Sequence, residues 1–409
     1  MPIITSLLDI DFYKFTMGQI VFHRYPDVPV RYAFKNRTSK VRLADFVSED
    51  DLRQELDHVR TLGLNNTELH YLRGTNEYGD RMFAEDYLKF LVNFRLPAYH
   101  LEVADGIFTL EFSGKWSEAI YWETIALSVV NELYYRAKMA QLSRFGQDNV
   151  YAVGKCLLGE KIIRIRANPD IRFSDFGTRR RFSREWQDYQ VGVLKEEIPA
   201  QFLGTSNVSL AMKHGVAPMG TSAHERDMAM AAILQSRGES IRGAQNIVLE
   251  DWWAEYGWGL SIALTDTWGT DFFFTAMTEK QARLWKGLRQ DSGDPFEFAE
   301  KAIRFYIGHD INPREKLLIF SDGLDIETIV KLQSRFSRRI NVGFGWGTNL
   351  TNDLGFKPLS LVVKLVEANG RGAVKLSDNL AKAVGKPEDI EHYKKELGYT
   401  GNTFDECRY

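Results

Sequence analysis

The pattern that most constrains the fold begins at Ile171 and continues to Val366. Along this stretch, short apolar or β-branched runs recur, each followed by small polar residues and then by a helix-like segment. Such alternation is typical of parallel strands connected by helices, and it predicts an α/β fold with an irregular (β/α)8-type barrel. The candidate strands are Ile171–Ser174, Gln201–Gly204, Val216–Gly220, Ser261–Leu264, Leu284–Leu288, Leu317–Phe320, Asn341–Phe344 and Leu361–Val366.

The first part of the chain lacks this regular alternation. Strand-like and helical stretches are mixed there, at 30–36, 50–62, 82–91, 106–112 and 118–141. The mixture predicts an α+β domain over residues 1–131, and the barrel then occupies residues 132–366. We expect the charged segment at about 367–409 to return to the first domain.

Charge and cysteine content exclude several classes of protein. Lys and Arg number 52 against 55 Asp and Glu, so no global basic field exists to hold nucleic acid. The two cysteines, Cys156 and Cys407, are far apart in sequence, which fits a reducing compartment better than a disulfide scaffold. No secretory leader pattern and no apolar run near ~18 residues occurs, so we expect a cytoplasmic protein without membrane contact.

Cationic and glycine-rich segments follow the candidate strands, where a parallel barrel builds its active site. Arg179-Arg180-Arg181 could bind phosphate or carboxylate through paired hydrogen bonds, although charge runs also begin solvated helices. Gly343-x-Gly345-x-Gly347 could present backbone N–H groups to a phosphate, although alternating glycines also form tight turns. Both segments suit a substrate that carries phosphate groups.

Four aspartates lie at the same predicted edge. Asp266, Asp291, Asp294 and Asp322 could hold ribose hydroxyls or a hydrated Mg²⁺. Asp294 precedes a proline and a helical stretch, so a helix N-cap explains it equally well, whereas Asp291 and Asp322 have no evident capping role. No G-x-x-x-x-G-K-[ST] loop occurs in the sequence, so any ATP is bound without that cradle.

His224 is the histidine that the sequence singles out. Ser222-x-x-Glu225 matches a capping box, which predicts that His224 lies in the first turn of a helix. The positive end of the helix dipole disfavours imidazolium, so the ring should stay neutral and able to act as a nucleophile. The same helix end would stabilise a phosphoryl group attached to the ring.

Taken in order, the segments along the chain resemble nicotinate phosphoribosyltransferases. The resemblance extends through nearly the whole chain, and no single segment carries it alone. The matching segments are Asp11-Phe12-Tyr13-Lys14-Phe15-Thr16-Met17, Ser174-Asp175-Phe176-Gly177-Thr178-Arg179-Arg180, Gly204-Thr205-Ser206-Asn207, Thr221-Ser222-Ala223-His224-Glu225, Thr265-Asp266-Thr267, Arg289-Gln290-Asp291-Ser292-Gly293-Asp294-Pro295, Ser321-Asp322-Gly323 and Gly343-Phe344-Gly345-Trp346-Gly347-Thr348-Asn349.

The resemblance implies a reaction and a role for each matching residue. Nicotinate and phosphoribosyl pyrophosphate would give nicotinate mononucleotide and pyrophosphate, with Mg²⁺ present and ATP hydrolysis coupled through a phosphorylated histidine. The implied fold joins the barrel to a smaller sandwich-like domain, in homodimers that share active sites. The implied site comprises His224 with Asp266; Tyr13 from the neighbouring chain and Phe176 around the pyridine; Arg179 and Arg289 on carboxylate and phosphates; Asp291 and Asp322 on the ribose; and Gly345, Gly347 and Thr348 on the 5′-phosphate.

Ser206 bears on the choice of substrate. Relatives that use nicotinamide carry an aspartate in this segment, and a neutral serine beside an arginine cluster favours the anionic nicotinate instead. Two alternatives remain: a nicotinamide- or quinolinate-using phosphoribosyltransferase, and a non-catalytic barrel that binds a phosphorylated metabolite. The second has no use for a neutral histidine at a helix start.

Overall fold

The computed structural model describes residues 1–401 and 403–405. Cys407, one of the two cysteines on which the expected reducing compartment depends, lies outside the described residues. Cys156 is exposed and free.

The strands form a five-stranded antiparallel sheet, a seven-stranded parallel sheet and a small hairpin. In chain order the strands are β1 (Pro29–Asn36), β2 (Asn76–Glu77), β3 (Asp80–Arg81), β4 (Tyr99–Ala104), β5 (Ile107–Lys115), β6 (Phe173–Asp175), β7 (Phe202–Thr205), β8 (Ala217–Pro218), β9 (Ile262–Leu264), β10 (Gly287–Gln290), β11 (Leu317–Phe320), β12 (Asn341–Trp346), β13 (Leu361–Ala368) and β14 (Arg371–Gly372).

Helices connect the parallel strands and pack around both sheets. In chain order they are α1 (Tyr13–Arg24), α2 (Glu49–Thr61), α3 (Asn66–Gly74), α4 (Glu85–Asn93), α5 (Trp116–Ala119), α6 (Trp122–Ala140), α7 (Arg144–Arg166), α8 (Arg184–Glu197), α9 (Val208–His214), α10 (Glu225–Ser236), α11 (Ala244–Tyr256), α12 (Thr270–Ala276), α13 (Glu279–Leu284), α14 (Pro295–Gly308), α15 (Ile326–Phe336), α16 (Thr348–Thr351) and α17 (Pro387–Leu397).

The parallel sheet is the barrel unit, in the order β8-β7-β6-β12-β11-β10-β9. Its central strands are apolar because helices cover a parallel sheet on its faces. The predicted α/β barrel class is confirmed, and seven of the eight candidate runs overlap strands of this sheet. The run at Leu284–Leu288 is displaced, because a capping box formed by Thr278 and Gln281 starts a helix that continues to Leu284.

The eighth candidate strand is wrong as a barrel strand. Leu361–Ala368 pairs antiparallel with Pro29–Asn36, so that Asn36 lies opposite Leu361 and Val30 opposite Ala368. It therefore belongs to the antiparallel sheet, whose order is β14-β13-β1-β5-β4. The run is buried in that sheet much as a barrel strand would be, and periodicity alone does not distinguish the two situations.

Residues 361–382, here called the return segment, connect the two units. After β14 the chain passes along the barrel, where Trp268 Nε1 donates to Val374 O and Leu376 N donates to Thr267 O. Helix α17 then packs in an apolar cluster with residues of α10 and α11. Within the described residues, no helix has both the length and the apolar character needed to cross a bilayer.

Candidate active site

A pocket of about 150 Å³ lies between the two units. The ends of the parallel strands β6, β10, β11 and β12 form one side, and the start of α1 and the return segment form the other. Its position at the carboxyl ends of the strands agrees with the sequence prediction. Side chains from distant parts of the chain therefore meet at one opening.

The start of the chain is fixed to the barrel by buried polar contacts. Asp9 accepts two hydrogen bonds from the Arg181 guanidinium, at 2.6 and 2.8 Å, and neither side chain is appreciably exposed. Phe12 N donates to Ser206 O, at the end of β7. These contacts place Tyr13, the first residue of α1, at the pocket, and they hold the turn that carries Arg179.

Two aromatic rings and a guanidinium group form one wall. Phe176 directly follows β6, and its backbone N–H donates to Trp346 O. A Cβ at Gly345 would lie 3.2 Å from the Phe176 ring, so the strand approaches this ring closely and a side chain there would crowd it. The guanidinium carbon of Arg179 lies 5.7 Å from the Tyr13 ring centre in the same chain. Flat and anionic groups both suit this wall.

Tyr13 occupies the pocket of its own chain, 3% exposed. The contact between the Asp11–Phe12 segment and the end of β7 leaves the Tyr13 side chain facing its own barrel. The expectation that this residue also reaches the site of a neighbouring chain stays a prediction.

A buried ion network supports the floor of the pocket. Lys14 Nζ lies 2.7 Å from Glu123 Oε2 and also binds Glu225, the first residue of α10. Glu225 further accepts hydrogen bonds from Tyr32 Oη and Trp116 Nε1. Because Glu225 is held by three partners from the first domain, the start of α10 is fixed in position.

His224 is the N-cap residue of α10, without a side-chain capping hydrogen bond. The predicted capping box is wrong: Glu225 is engaged by the ion network, and Ser222 O accepts from Arg289 Nη1. His224 is nevertheless buried at the helix start, 4% exposed, and it lines the pocket. The expected position therefore results from tertiary contacts rather than from a local cap.

The His224 ring contacts both a hydrogen-bond donor and a hydrogen-bond acceptor. Nδ1 lies 3.0 Å from Thr267 Oγ1, while Nε2 lies 2.7 Å from Lys375 Nζ and 3.0 Å from Asp291 Oδ2. Burial, followed by the charge of Lys375, lowers the pKa of His224 to about 4. The ring is thus neutral: Lys375 can donate to Nε2 in the tautomer that carries its proton on Nδ1, and Asp291 can accept from Nε2 in the other tautomer.

Arg289 lies in β10, Asp291 follows that strand directly, and both face the same opening. Asp291 Oδ1 accepts from Ser321 Oγ at 3.1 Å. Burial opposes its ionisation, but His224, Arg289 and Lys375 outweigh burial and hold the pKa of the Asp291 carboxyl well below its usual range. An ionised carboxylate at this place can accept hydrogen bonds from hydroxyl groups.

Ten of the twelve predicted site residues line the pocket, and two do not. Asp266 lies behind His224, 3.9 Å from Nε2, and it accepts a hydrogen bond from Ser292. Ser206 is fully buried, and its hydroxyl donates to Asp11 Oδ1 at 2.6 Å. The residues that line the pocket are Tyr13, Phe176, Arg179, His224, Arg289, Asp291, Asp322, Gly345, Gly347 and Thr348.

Sequence reasoning missed several cations. Lys364, Lys375 and Lys382 of the return segment line the pocket, as does Arg37 from the end of β1. Burial lowers the pKa of Lys364 to about 8, with Arg179 and Lys375 acting in the same direction against Glu123. The sequence did contain a signal for Lys364, because it is a lone lysine within the apolar run Leu361–Val366. A buried charge of this kind needs a partner or a ligand.

Among the described residues, no resident metal cage is evident. In the part of the chain that the structure describes, no three His, Cys, Asp or Glu side chains converge as a metal site. Asp291 and Asp322 nevertheless line the same opening. Two carboxylates fit a Mg²⁺ that arrives with substrate phosphates, because this ion keeps waters and binds few protein oxygens.

Comparison with known proteins agrees with this geometry. The profile of the nicotinate phosphoribosyltransferase (NAPRTase) family matches residues 171–401, and that of the NAPRTase N-terminal domain matches residues 8–131. The nicotinate phosphoribosyltransferase structure from Porphyromonas gingivalis is 33% identical, with a TM-score of 0.87 over 97% of this chain and 100% of that one.

Two further solved structures resemble the chain over almost its whole length. That of nicotinate phosphoribosyltransferase from Vibrio cholerae is 33% identical, with a TM-score of 0.87, covering 98% of this chain and 95% of the other. That of a putative nicotinate phosphoribosyltransferase from Saccharomyces cerevisiae is 31% identical, with a TM-score of 0.85, covering 98% and 99%. With its fold, its pocket and both profiles in agreement, the chain belongs to the nicotinate phosphoribosyltransferase family, whose members are phosphoribosyl-transferring enzymes.

Proposed function

We propose that the protein transfers the phosphoribosyl group of phosphoribosyl pyrophosphate to nicotinate, and that ATP hydrolysis drives the transfer through a phosphorylated His224. The observation that carries this proposal is the state of that histidine: buried, neutral, at a helix start, with Nε2 directed at Lys375 and Asp291. A purely binding protein has no need of such a group.

The transfer step requires positioning more than a nucleophile from the protein. The pyridine nitrogen attacks C1 of the ribose, the bond from C1 to the pyrophosphate oxygen breaks, and pyrophosphate leaves with its electron pair. Tyr13 and Phe176 would hold the ring, and Arg179 its carboxylate. The Arg289 guanidinium and the return-segment lysines would neutralise the leaving group, which is where electrostatic stabilisation matters most.

The ribose and its 5′-phosphate would occupy the strand ends. Asp291 and Asp322 would accept hydrogen bonds from the ribose hydroxyls. Gly347 and Thr348 begin the short helix α16 at the same opening, where backbone N–H groups would meet the phosphate. Mg²⁺, bound through the phosphates with Asp291 and Asp322, would add positive charge at the leaving group.

In the coupled step, Nε2 of His224 is the nucleophile. With the ring proton on Nδ1, where Thr267 would accept it, Nε2 would carry the lone pair that attacks. Nε2 would bond to the terminal phosphorus of ATP as the bond to the bridging oxygen breaks and ADP leaves. Lys375 lies 2.7 Å from Nε2, so its ammonium group would then offset the charge of the phosphoryl group. Water later releases the phosphate.

The test follows nicotinate mononucleotide and ADP together, in wild type and in a His224→Ala variant. We expect the variant to lose ATP stimulation and to keep a weak ATP-independent transfer, because the histidine serves coupling rather than bond formation at C1. Full ATP-stimulated turnover in the variant would place the phosphate acceptor elsewhere.

The same assay, run with nicotinate, nicotinamide and quinolinate in turn, tests the acceptor. Higher kcat/KM on nicotinamide or quinolinate would overturn the choice of nicotinate. A cytoplasmic location and a homodimer remain predictions from composition and from the resemblance, and the pocket described here draws Tyr13 from its own chain.

A further inference from the structure

Helix α7 is buried along one side only. Its buried side includes Gly154, Leu158 and Ile165. The opposite side, here called the outer face, consists of residues spaced four, three, four, three and four along the chain, so they form one line along the helix. These residues are Phe145, Asn149, Ala152, Cys156, Gly159 and Ile163.

The outer face is open to solvent although it is largely apolar. Phe145 is 74% exposed and Ile163 is 66% exposed, and Ala152 and Cys156 are exposed between them. The solvent side of a surface helix normally carries charged residues, yet this line contains none over about five turns. An exposed apolar surface of this length is typical of a face that another molecule covers.

Gly159 is a second, independent indication of a contact at this face. It lies inside the 23-residue helix, where glycine is among the least favourable residues. A Cβ at this position would have no neighbour within 4 Å among the described residues outside the helix backbone, so packing within the chain does not require a glycine. A glycine does allow the backbone of another molecule to approach closely.

The outer face is complementary to itself when two copies of α7 run antiparallel. A two-fold axis at the level of Gly154 places residues equally far before and after that position opposite each other. Large residues then meet at both ends of the contact and small residues meet near its centre, which allows the ~8–10 Å axial separation of closely packed helices. The opposing pairs are Phe145 with Ile163, Asn149 with Gly159, and Ala152 with Cys156.

The charges beside the outer face complement each other in the same arrangement. Asp148 and Lys155 flank it on one side and Glu160 flanks it on the other, and none of the three forms an ion pair among the described residues. In the antiparallel pair, Lys155 lies about 7.5 Å along the axis from Asp148 of the second copy, within reach of its side chain. Glu160 lies beside Asn149 of the second copy, whose amide can donate to it. The two-fold axis forms each contact twice.

We propose that α7 is a docking face for a second copy of this chain, whose own α7 packs antiparallel against it about a two-fold axis at Gly154. The contact extends over about 27 Å, the distance along the helix from Phe145 to Ile163. One helix pair buries less than the ~1,600 Å² of a standard interface, so we expect a reversible dimer. No residue of the outer face lines the pocket, so the inference is independent of the proposed reaction and of the predicted sharing of active sites.

The first test measures the mass of the protein in solution by sedimentation velocity. We expect wild type to pass from monomer to dimer between about 1 and 100 µM. Ala152→Arg places a charge at the centre of the outer face with little loss of helix propensity, and it should raise the dissociation constant of the dimer at least ~100-fold. Ala104→Arg makes the same change at an exposed position in β4 and should dimerise like wild type. A wild-type protein that stays monomeric, or an Ala152→Arg variant that dimerises equally well, would overturn the proposal.

The second test uses disulfides to determine which residues face each other. In a Cys156→Ala and Cys407→Ser background, a double variant with Asn149→Cys and Gly159→Cys would place thiols opposite each other across the axis. Within one helix these two positions are about 15 Å apart, beyond the ~7 Å limit for a disulfide, so any cross-link between them joins two chains.

We expect mild oxidation to convert the double variant into a covalent dimer, and to leave each single variant uncross-linked, because identical positions of the two copies are also about 15 Å apart. No covalent dimer from the double variant at concentrations where wild type is dimeric would overturn the antiparallel arrangement, as would equal cross-linking of the single variants.

Discussion

The barrel rim, here the residues at and after the carboxyl ends of the parallel strands, forms one side of the pocket, and the return segment forms the opposite side. The two sides acquire their functional side chains in different ways. The rim carries Arg179, His224 and Asp291 on segments that follow parallel strands, so the barrel geometry brings them to one opening. The return segment carries Lys364 in a strand of the other sheet and Lys375 in an irregular stretch. In the proposed reaction, His224 and Asp291 would act from the barrel, whereas much of the charge that would hold phosphates comes from outside it.

We expect the largest loss of turnover from a substitution in the barrel rim. Asp291→Ala removes the carboxylate that contacts His224 and would bind the ribose in the proposed reaction, so we expect turnover to fall roughly 100-fold to 1000-fold. Steady-state kinetics of nicotinate mononucleotide formation measure it. A loss below ten-fold would mean that the rim is less important than the return segment.

A smaller, pH-dependent effect is expected from the return segment. Lys375 helps to keep the pKa of His224 at about 4, so the wild-type ring stays neutral from pH 5 to 8. In this range, ATP-stimulated turnover should therefore not fall at lower pH through protonation of His224. In Lys375→Met the pKa rises toward its ordinary value, and protonation would reduce turnover at pH 5.5 by up to about ten-fold.

Lys375→Arg is the matched control, because it keeps the positive charge near Nε2. The pH dependence of its ATP-stimulated turnover below pH 7 should stay close to that of wild type. Identical profiles for Lys375→Met and wild type would show that burial alone sets the pKa of His224.

A change in stability without a change in chemistry is expected at Asp294. Its carboxylate accepts from Phe296 N and Glu297 N at the start of α14, as the capping interpretation predicted. Asp294→Ala should lower the free energy of unfolding by about 1 kcal/mol in denaturant titration. The kcat should be unchanged, and a large loss of kcat would indicate a role in the pocket.

We expect that mixing the inactive Tyr13→Ala and Asp291→Ala proteins restores no activity. Tyr13→Ala and Asp291→Ala each damage the pocket of their own chain, so a mixture contains no intact site. If sites were shared between chains, random exchange would restore ~25% of them. Recovery of activity after demonstrated subunit exchange would therefore contradict the placement of Tyr13.

The rim could be predicted from the sequence because local patterns specify it. Apolar runs ending in polar residues locate the strand ends, and Arg179, His224 and Asp291 lie there as expected. The capping box at Ser222 failed for a physical reason: Lys14, Tyr32 and Trp116, all distant in sequence, compete for Glu225. Tertiary hydrogen bonds outweighed the local pattern.

The return segment could not be predicted in the same way. The run Leu361–Val366 is as apolar as a barrel strand, and its partner strand lies at the other end of the chain. Lys375 has no periodic pattern around it, so its contact with His224 follows only from the path of the chain. Ser206 was expected to face the substrate, but its hydroxyl is already bonded to Asp11.

The pairing of β1 with β13 also sets an order of events during synthesis. Strand β1 lies between β13 and β5, so one of its edges stays without its partner until the ribosome has made residues beyond 361. At a synthesis rate of roughly 10 residues per second, that edge stays unpaired for about half a minute. Exposed strand edges pair with other chains, so the first domain needs protection on the ribosome, and a chain stalled before Leu361 has both an open edge and an incomplete pocket.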